Sequence, residues 1–472
     1  TAQPDSLNSY LQIAAENNPE VRAAFLRYEA ALQKPAQMGA YDDPQLEMGF
    51  FLEPMDIVGG REIAQFQLMQ MFPWFGTKKA ARTEAQHMAQ MAFEEFREAR
   101  DNLFLEIHTQ WYLLCSLKQK QINTEANKQL LQQLETLALH KFASGGSVSG
   151  ETGKGKMEKG KTEAGVGTAS APAMNMGNMK SPGNQGTMES GNDMSGMTMP
   201  NASASGMSEV LRIQLEIVEA ESNSKSLASE IAAAKAQFNA LLNRAPETEV
   251  LIPDEFPQLI YLFDIKAIIQ TIKEQNPMLG MLREEALAYK ARGEMERKMG
   301  YPMFGIGLQY MLIAETMDNA AGMETSSHGA TAATPPNAMN GKDMIMPMLS
   351  VSIPIFRSKY KAAQKESQLL RQAAEETLFN TQNTLEAALY QFKHQLDDAQ
   401  RKIDLYRKQR EIARTTCELI TAEFAAGKSD LSAVIQVDRQ LLDYQLKEAE
   451  AIAAYNTAVA NLQKLTAQQT PF

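Results

Sequence analysis

Apolar positions recur along this chain with two distinct periods. In four short segments they alternate one by one with small or polar residues. Leu46, Met48, Phe50 and Leu52 alternate with Gln45, Glu47, Gly49, Phe51 and Glu53. Phe66, Leu68, Phe72 and Trp74 fall on one side of a second segment, with Gln65 and Gln67 on the other. In a third, Phe304, Ile306, Leu308, Tyr310 and Leu312 stand against Gly305, Gly307 and Gln309. In the fourth, Ile345, Leu349, Val351, Ile353 and Ile355 stand against Ser350 and Ser352. Alternation of this kind predicts β-strands, here over 44–53, 63–74, 302–312 and 344–356.

Nearly everything else predicts helix. From Thr77 to Ala143, and again from Ser358 to Ala426, the chain has no Pro or Gly and is dominated by Ala, Gln, Glu, Leu, Lys and Arg. Helices are expected over 77–143 and 358–426, each roughly 100 Å long at about 1.5 Å per residue. Shorter helices are expected over 5–39, 208–244, 264–299 and 428–467.

These elements fall into two copies of one pattern. Asn18-Pro19 is echoed by Asn276-Pro277, and Phe72-Pro73-Trp74-Phe75 by Ile353-Pro354-Ile355-Phe356. Phe142-Ala143-Ser144-Gly145 at the end of the first long helix is echoed by Phe424-Ala425-Ala426-Gly427. A duplication follows: a first repeat over 1–245 and a second over 258–467, each with a short helix, two strands, a long helix and a closing short helix. Two short helices end to end match one long helix in length, so they can pack along it as coiled-coil-like rods. The first repeat carries an insertion at 147–207, after its long helix, and the second has a longer link between its strands.

The strands set the next constraint. No run of about 18 apolar residues occurs, so no transmembrane helix is expected. Strands of about ten residues, apolar on one face and flanked by the aromatics Phe72, Trp74, Tyr301 and Phe356, fit a membrane-spanning barrel. Two hairpins packed on a helical body would show a similar alternation. Four strands cannot close a barrel, since small ones need about eight. A spanning sheet therefore requires oligomerisation, and a trimer would supply twelve strands.

The residues at this point resemble the TolC-type outer-membrane efflux channels. The motifs that carry the resemblance are Asp43-Pro44-Gln45-Leu46, Met71-Phe72-Pro73-Trp74-Phe75-Gly76, Ser352-Ile353-Pro354-Ile355-Phe356 and the two Phe-x-x-Gly tips. The Pro-Trp-Phe-Gly version looks most like the heavy-metal branch, the copper/silver channels of the CusC type. The resemblance implies a mainly α chain with a small transmembrane β part. Its trimer would join a 12-stranded β-barrel to a long α-helical barrel in the periplasm. It also implies an outer-membrane location, a periplasmic adaptor (membrane fusion) protein and an inner-membrane RND-type transporter as partners. Lipidated members of the branch carry an N-terminal cysteine, whereas Thr1 stands first here.

By the same resemblance the tips dock the adaptor and narrow to a gate. The residues implied are Phe142, Gly145, Glu209 and Arg212 in the first repeat and Phe424, Gly427, Asp430 and Gln436 in the second. Family members often place acidic rings there. The matching positions here are Glu209 and Arg212, then Ala433 and Gln436, which departs from a strict pair of aspartate rings. Gly145 and Gly427 also read simply as helix C-caps.

Composition adds one clue. The net charge is −11, which disfavours a nucleic-acid partner. Two cysteines, Cys115 and Cys417, give no disulfide scaffold and read as small apolar packing residues. His87, His108, His140 and His394 sit singly in predicted helices without a nucleophile partner, so no enzyme is expected. Methionine is the exception, with 28 in the chain. Nine of them lie within 151–207 in a setting of Gly, Ser, Asn, Lys and Pro that cannot form a core.

A thioether is soft, neutral and suited to Cu(I), and by the same softness to Ag(I). The candidate ligands are Met174, Met176, Met179, Met188, Met194, Met197, Met199 and Met207. No resident cofactor is expected; the ion would be transient cargo. Seven further methionines lie within 311–348, some of them in strands. The function expected is the outer-membrane channel of a tripartite pump exporting Cu(I) or Ag(I). The alternatives are a drug or protein export channel of the same fold, and a soluble periplasmic copper-binding coiled-coil protein.

Overall fold

The computed structural model describes residues 7–57, 60–145, 202–262, 264–315 and 341–468. The elements are α1 (Leu7–Asn17), α2 (Pro19–Gly39), β1 (Gln45–Ile57), β2 (Gly60–Phe72), α3 (Thr77–Gly145) and α4 (Ala202–Leu241) in the first half. The second half gives α5 (Ile265–Gln275), α6 (Pro277–Met299), β3 (Met303–Ala314), β4 (Met344–Ser352), α7 (Arg357–Ala425) and α8 (Leu431–Leu465). The fold class is the one expected from the sequence: mainly helical, with one small antiparallel sheet. The two long helices, α3 and α7, are both 69 residues long.

Three expectations need correction. The helices expected over 5–39 and 264–299 are each broken, at Asn18 and at Asn276. The cause is the Asn-Pro pair. Proline disfavours helical backbone in the residue before it and fits the first turn of the next helix. Each asparagine is extended, and its Oδ1 accepts from two backbone amides of the following turn: Glu20 and Val21, or Met278 and Leu279. Second, α4 starts at Ala202 rather than 208, so Met207 belongs to a helix and not to the insertion. Third, β2 ends at Phe72 and β4 at Ser352, short of Trp74 and Phe356.

The chain divides into two compact units. The larger comprises Thr1–Asn123, Ser226–Ile412 and Asp443–Phe472. It holds two apolar cores, one for each repeat. Tyr10, Phe104, Ile107, Trp111, Leu114 and Phe238 form the first, with the Tyr10 ring edge-on to Phe238 at 5.2 Å. Ile272, Leu279, Leu389, Ile403, Val459 and Leu462 form the second. The two cores are closed by matching latches. Asn18 Nδ2 donates to the Leu241 carbonyl at 3.0 Å, and Asn276 Nδ2 to the Leu465 carbonyl at 3.1 Å. Each asparagine thus starts one helix and ties down the end of another in its own repeat.

The larger unit also carries the sheet, in the order β1-β2-β3-β4 with every pair antiparallel. Among the described residues, both outer strands have an unpaired edge. The register fixes which side chains share a face. One face carries the rows Leu46–Leu68–Leu308–Pro347 and Met48–Phe66–Tyr310–Ile345, with Ile306–Leu349 and Phe304–Val351 beyond. The other carries Gln45–Met69–Gly307–Met348, Glu47–Gln67–Gln309–Met346 and Gly49–Gln65–Met311–Met344. Gln309 Nε2 donates to Gln65 Oε1 across this polar face at 3.2 Å.

The smaller unit comprises Thr124–Lys225 and Ala413–Leu442. Its core is Leu131, Leu134, Val210, Ile213, Phe424, Leu431 and Val434, contributed by α3, α4, α7 and α8. Among the described residues no helix is long and apolar enough to cross a membrane.

Candidate functional site

Two places carry the residues singled out from the sequence: the turn between α7 and α8, and the sheet. The turn is built from glycine outward. Gly427 has φ +73°, which a residue with a Cβ adopts at a cost. Its amide donates to the Phe424 carbonyl at 3.0 Å, and the Lys428 amide to the Glu423 carbonyl at 2.9 Å. That pair of bonds is a Schellman cap, which satisfies the last carbonyls of α7 and reverses the chain. Asp430 then precedes α8, its carbonyl accepting from Ala433. Phe424 is fully buried, with the Lys141 ammonium 4.3 Å from its ring centre.

Around this turn, Glu209 meets Asp430. Burial raises the Glu209 carboxyl above its ordinary range; Lys141 opposes the shift, and the charge and hydrogen bond of Asp430 add to it. Arg212 Nη1 donates to Ser432 Oγ at 2.6 Å, and Gln436 is exposed. The structure therefore brings Glu209 and Asp430 into direct contact and gives Arg212 a hydroxyl partner. Phe142 and Gly145 lie at the end of α3, where side chains are outside the described residues.

Sequence reasoning passed over Asp438. It is 2 % exposed and accepts from Asn127 Nδ2 at 2.7 Å. Burial pushes its carboxyl up to about 6, against the Asn127 bond and with help from Glu216. Glu216 is itself gripped by Arg439 through two bonds, at 2.8 and 2.5 Å. A signal for Asp438 was present. Leu431, Val434, Ile435 and Asp438 follow i, i+3, i+4, i+7 spacing, which puts a carboxylate on the apolar stripe of α8.

At the sheet, one face is apolar and open. Phe50, Ile306, Ile345 and Leu349 are all more than half exposed, and Leu52 is fully so. Such a contiguous aliphatic area marks a surface that meets lipid or protein rather than water. Aromatics gather at the end of the sheet nearest the helices. Trp74 stacks on Tyr301 at 5.2 Å, and Tyr41 meets Phe72 edge-on at 5.5 Å. Phe356 stands just past β4, largely exposed. Lys78 binds Asp42 at 2.9 Å beside this cluster.

Of the methionines proposed as ligands, Met174, Met176, Met179, Met188, Met194, Met197 and Met199 lie outside the described residues. Met207 is exposed on α4. Among the described residues no group of three or more His, Cys, Asp or Glu is placed to hold a metal ion. His108 is buried with Nδ1 3.2 Å from the Tyr112 hydroxyl, and burial lowers it to about 4, so it is neutral at pH 7. His87 Nδ1 lies 2.7 Å from Glu284.

Comparison with known proteins agrees with this architecture. The family described as outer membrane efflux protein matches residues 268–468, most of the second repeat. No curated protein matches the sequence. The fold is shared with the outer membrane protein VceC of Vibrio cholerae (TM-score 0.65, 13% identity, 98% of this chain and 96% of that one). It is shared equally with the transmembrane channel protein CusC (TM-score 0.66, 12% identity, 99% and 94%). The MtrE outer membrane channel of Neisseria gonorrhoeae is similar too (TM-score 0.62, 13% identity, 98% and 88%).

Proposed function

We propose that this chain is the outer-membrane channel subunit of a tripartite efflux pump, and that its cargo is Cu(I) or Ag(I). The observation that carries the channel reading is the sheet: among the described residues, four antiparallel strands, two free edges and one continuous aliphatic face. A sheet with unpaired edges in a bilayer is unstable until closed, because no water satisfies the edge amides and carbonyls. Three copies closing edge to edge would give twelve strands with the aliphatic face toward lipid. Trp74, Tyr301 and Phe356 would then lie at a membrane–water boundary, where amphipathic rings are favoured.

The α7–α8 turn and its first-repeat counterpart would form the end that meets a periplasmic adaptor and, through it, an RND-type inner-membrane transporter. Glu209, Asp430, Arg212 and Phe424 are the residues offered there. The cargo reading rests on the methionine content and on the resemblance to CusC-type channels; the fold comparisons favour CusC no more than VceC or MtrE.

Deleting the chain in its native host tests both parts. Copper and silver tolerance should fall and return when the chain is restored. A fall in drug tolerance with metal tolerance unchanged would replace the cargo with the drug-export alternative. A protein that stays soluble without detergent would overturn the channel reading itself. Removing only residues 150–206 asks whether the insertion helps capture the ion; unchanged Cu(I) binding and tolerance would reject its role.

A further inference from the structure

The polar face of the sheet is short of ordinary apolar residues and rich in one kind. From the row Gly49–Gln65–Met311–Met344 to the row of Met303 and Ser352 it holds Met69, Met71, Met303, Met311, Met344, Met346 and Met348 and no Leu, Ile, Val or Phe; Ile313, one row further on opposite Glu62, is the aliphatic residue that shares the face. The opposite face of the same rows carries a single methionine, Met48, among leucines, isoleucines, valine and aromatics. Were methionine serving as a general apolar filler, it would mix with these on the aliphatic face. The segregation selects the thioether itself.

Geometry brings the sulfurs together. Met344, Met346 and Met348 occupy alternate positions of β4, so they rise along one face, with Met311 opposite Met344. Met69 and Met71 do the same on β2, separated from β4 by the two glycines of β3. Those glycines keep the space open for sulfur. A Cβ at position 305 would come within 2.5 Å of Met71 Sδ and 3.2 Å of Met69 Sδ, so both thioethers converge over Gly305. At position 307 it would meet the Leu68 carbonyl at 2.9 Å and Met69 Sδ at 3.2 Å. Same-face neighbours on adjacent rows lie about 7–8 Å apart, within reach of two flexible methionine side chains sharing one ion.

We infer that this face is a thioether track for a soft monovalent cation, Cu(I) or Ag(I), running along β2 and β4 on the polar side of the sheet. The inference rests on the channel reading in one respect, that closure turns this face toward the lumen. Neutral thioethers bind soft d10 ions without a proton being lost and discriminate against Mg²⁺ and Ca²⁺, which require oxygen. Several weak sites in series, rather than one strong one, allow an ion to enter and still leave. The track shares no residue with the 151–207 segment.

Peroxide footprinting of the full chain, purified in detergent and chloride-free buffer, tests it with Ag(I) as probe. A bound ion occupies the sulfur lone pair that peroxide attacks, so sulfoxide formation at Met69, Met71, Met344, Met346 and Met348 should fall by about tenfold with Ag(I). Met48 should be unchanged. No protection, or protection of Met48 to the same degree, would overturn the track. As a second measurement, M344L/M346L/M348L should bind fewer Ag(I) per chain than the unaltered protein; equal binding counts against the proposal. If that variant does not assemble, the footprint on the unaltered chain decides. Protection without a metal-tolerance phenotype supports the track and removes the cargo reading. A tolerance phenotype without protection does the reverse.

Discussion

At the scale of single residues, burial decides what the charged groups do. Asp438 sits on an apolar stripe with one amide donor, and its carboxyl is pushed from 3.8 up to about 6. Between those pH values the folded chain holds a proton that the unfolded chain has lost. The contribution of Asp438 to stability therefore falls as pH rises from about 4 to about 6, and it is unfavourable at neutral pH. Asp438→Asn keeps an acceptor for Asn127 and removes the charge. Its gain in stability over the unaltered protein should grow by about 2–3 kcal/mol between pH 4 and pH 7. Denaturation midpoints of the smaller unit at the two pH values check this; a difference that does not change with pH would mean Asp438 ionises normally. His108 works in the opposite sense. Held neutral by burial at about 4, it stabilises the fold above pH 6.5, and that contribution is lost as pH falls toward 4.

At the scale of elements, the two asparagine latches explain why each repeat starts with a broken helix. The Asn-Pro pairs were legible as repeat markers, and the helix break was legible in principle from the proline. What they bind was not, because Leu241 and Leu465 lie 223 and 189 positions away. The two jobs of the side chain can be separated. Asn18→Ala loses both the cap and the latch, an expected cost of about 2–3 kcal/mol. Asn18→Asp still accepts from Glu20 and Val21 but sets a carboxylate against the Leu241 carbonyl. It should cost about 1–2 kcal/mol, for the latch alone. The Asn276 variants should behave alike, since its contacts repeat those of Asn18. Chemical unfolding provides the comparison, and equal losses for Ala and Asp would show that only the latch matters.

For the molecule as a whole, the decisive fact is a sheet that, among the described residues, is finished on neither edge. Sedimentation in detergent should give a trimer that resists SDS at room temperature and dissociates on heating; a stable monomer would contradict closure by three copies. The fold class and the strand and helix periods came from sequence, because alternation and helix-forming runs are local and survive without knowledge of partners. Register, by contrast, belongs to tertiary structure. A slip of one residue would turn Met344, Met346 and Met348 to the aliphatic face and Ile345 and Leu349 to the other. Only the paired strands put the β2 and β4 methionines on one side, over Gly305 and Gly307. Only the packed helices join Glu209 to Asp430 and bury Asp438. The sequence by itself determined which residues each element would show on which side. Tertiary structure decided which of those sides meet, because contact across more than a hundred residues depends on the packing of the whole chain and not on any local pattern.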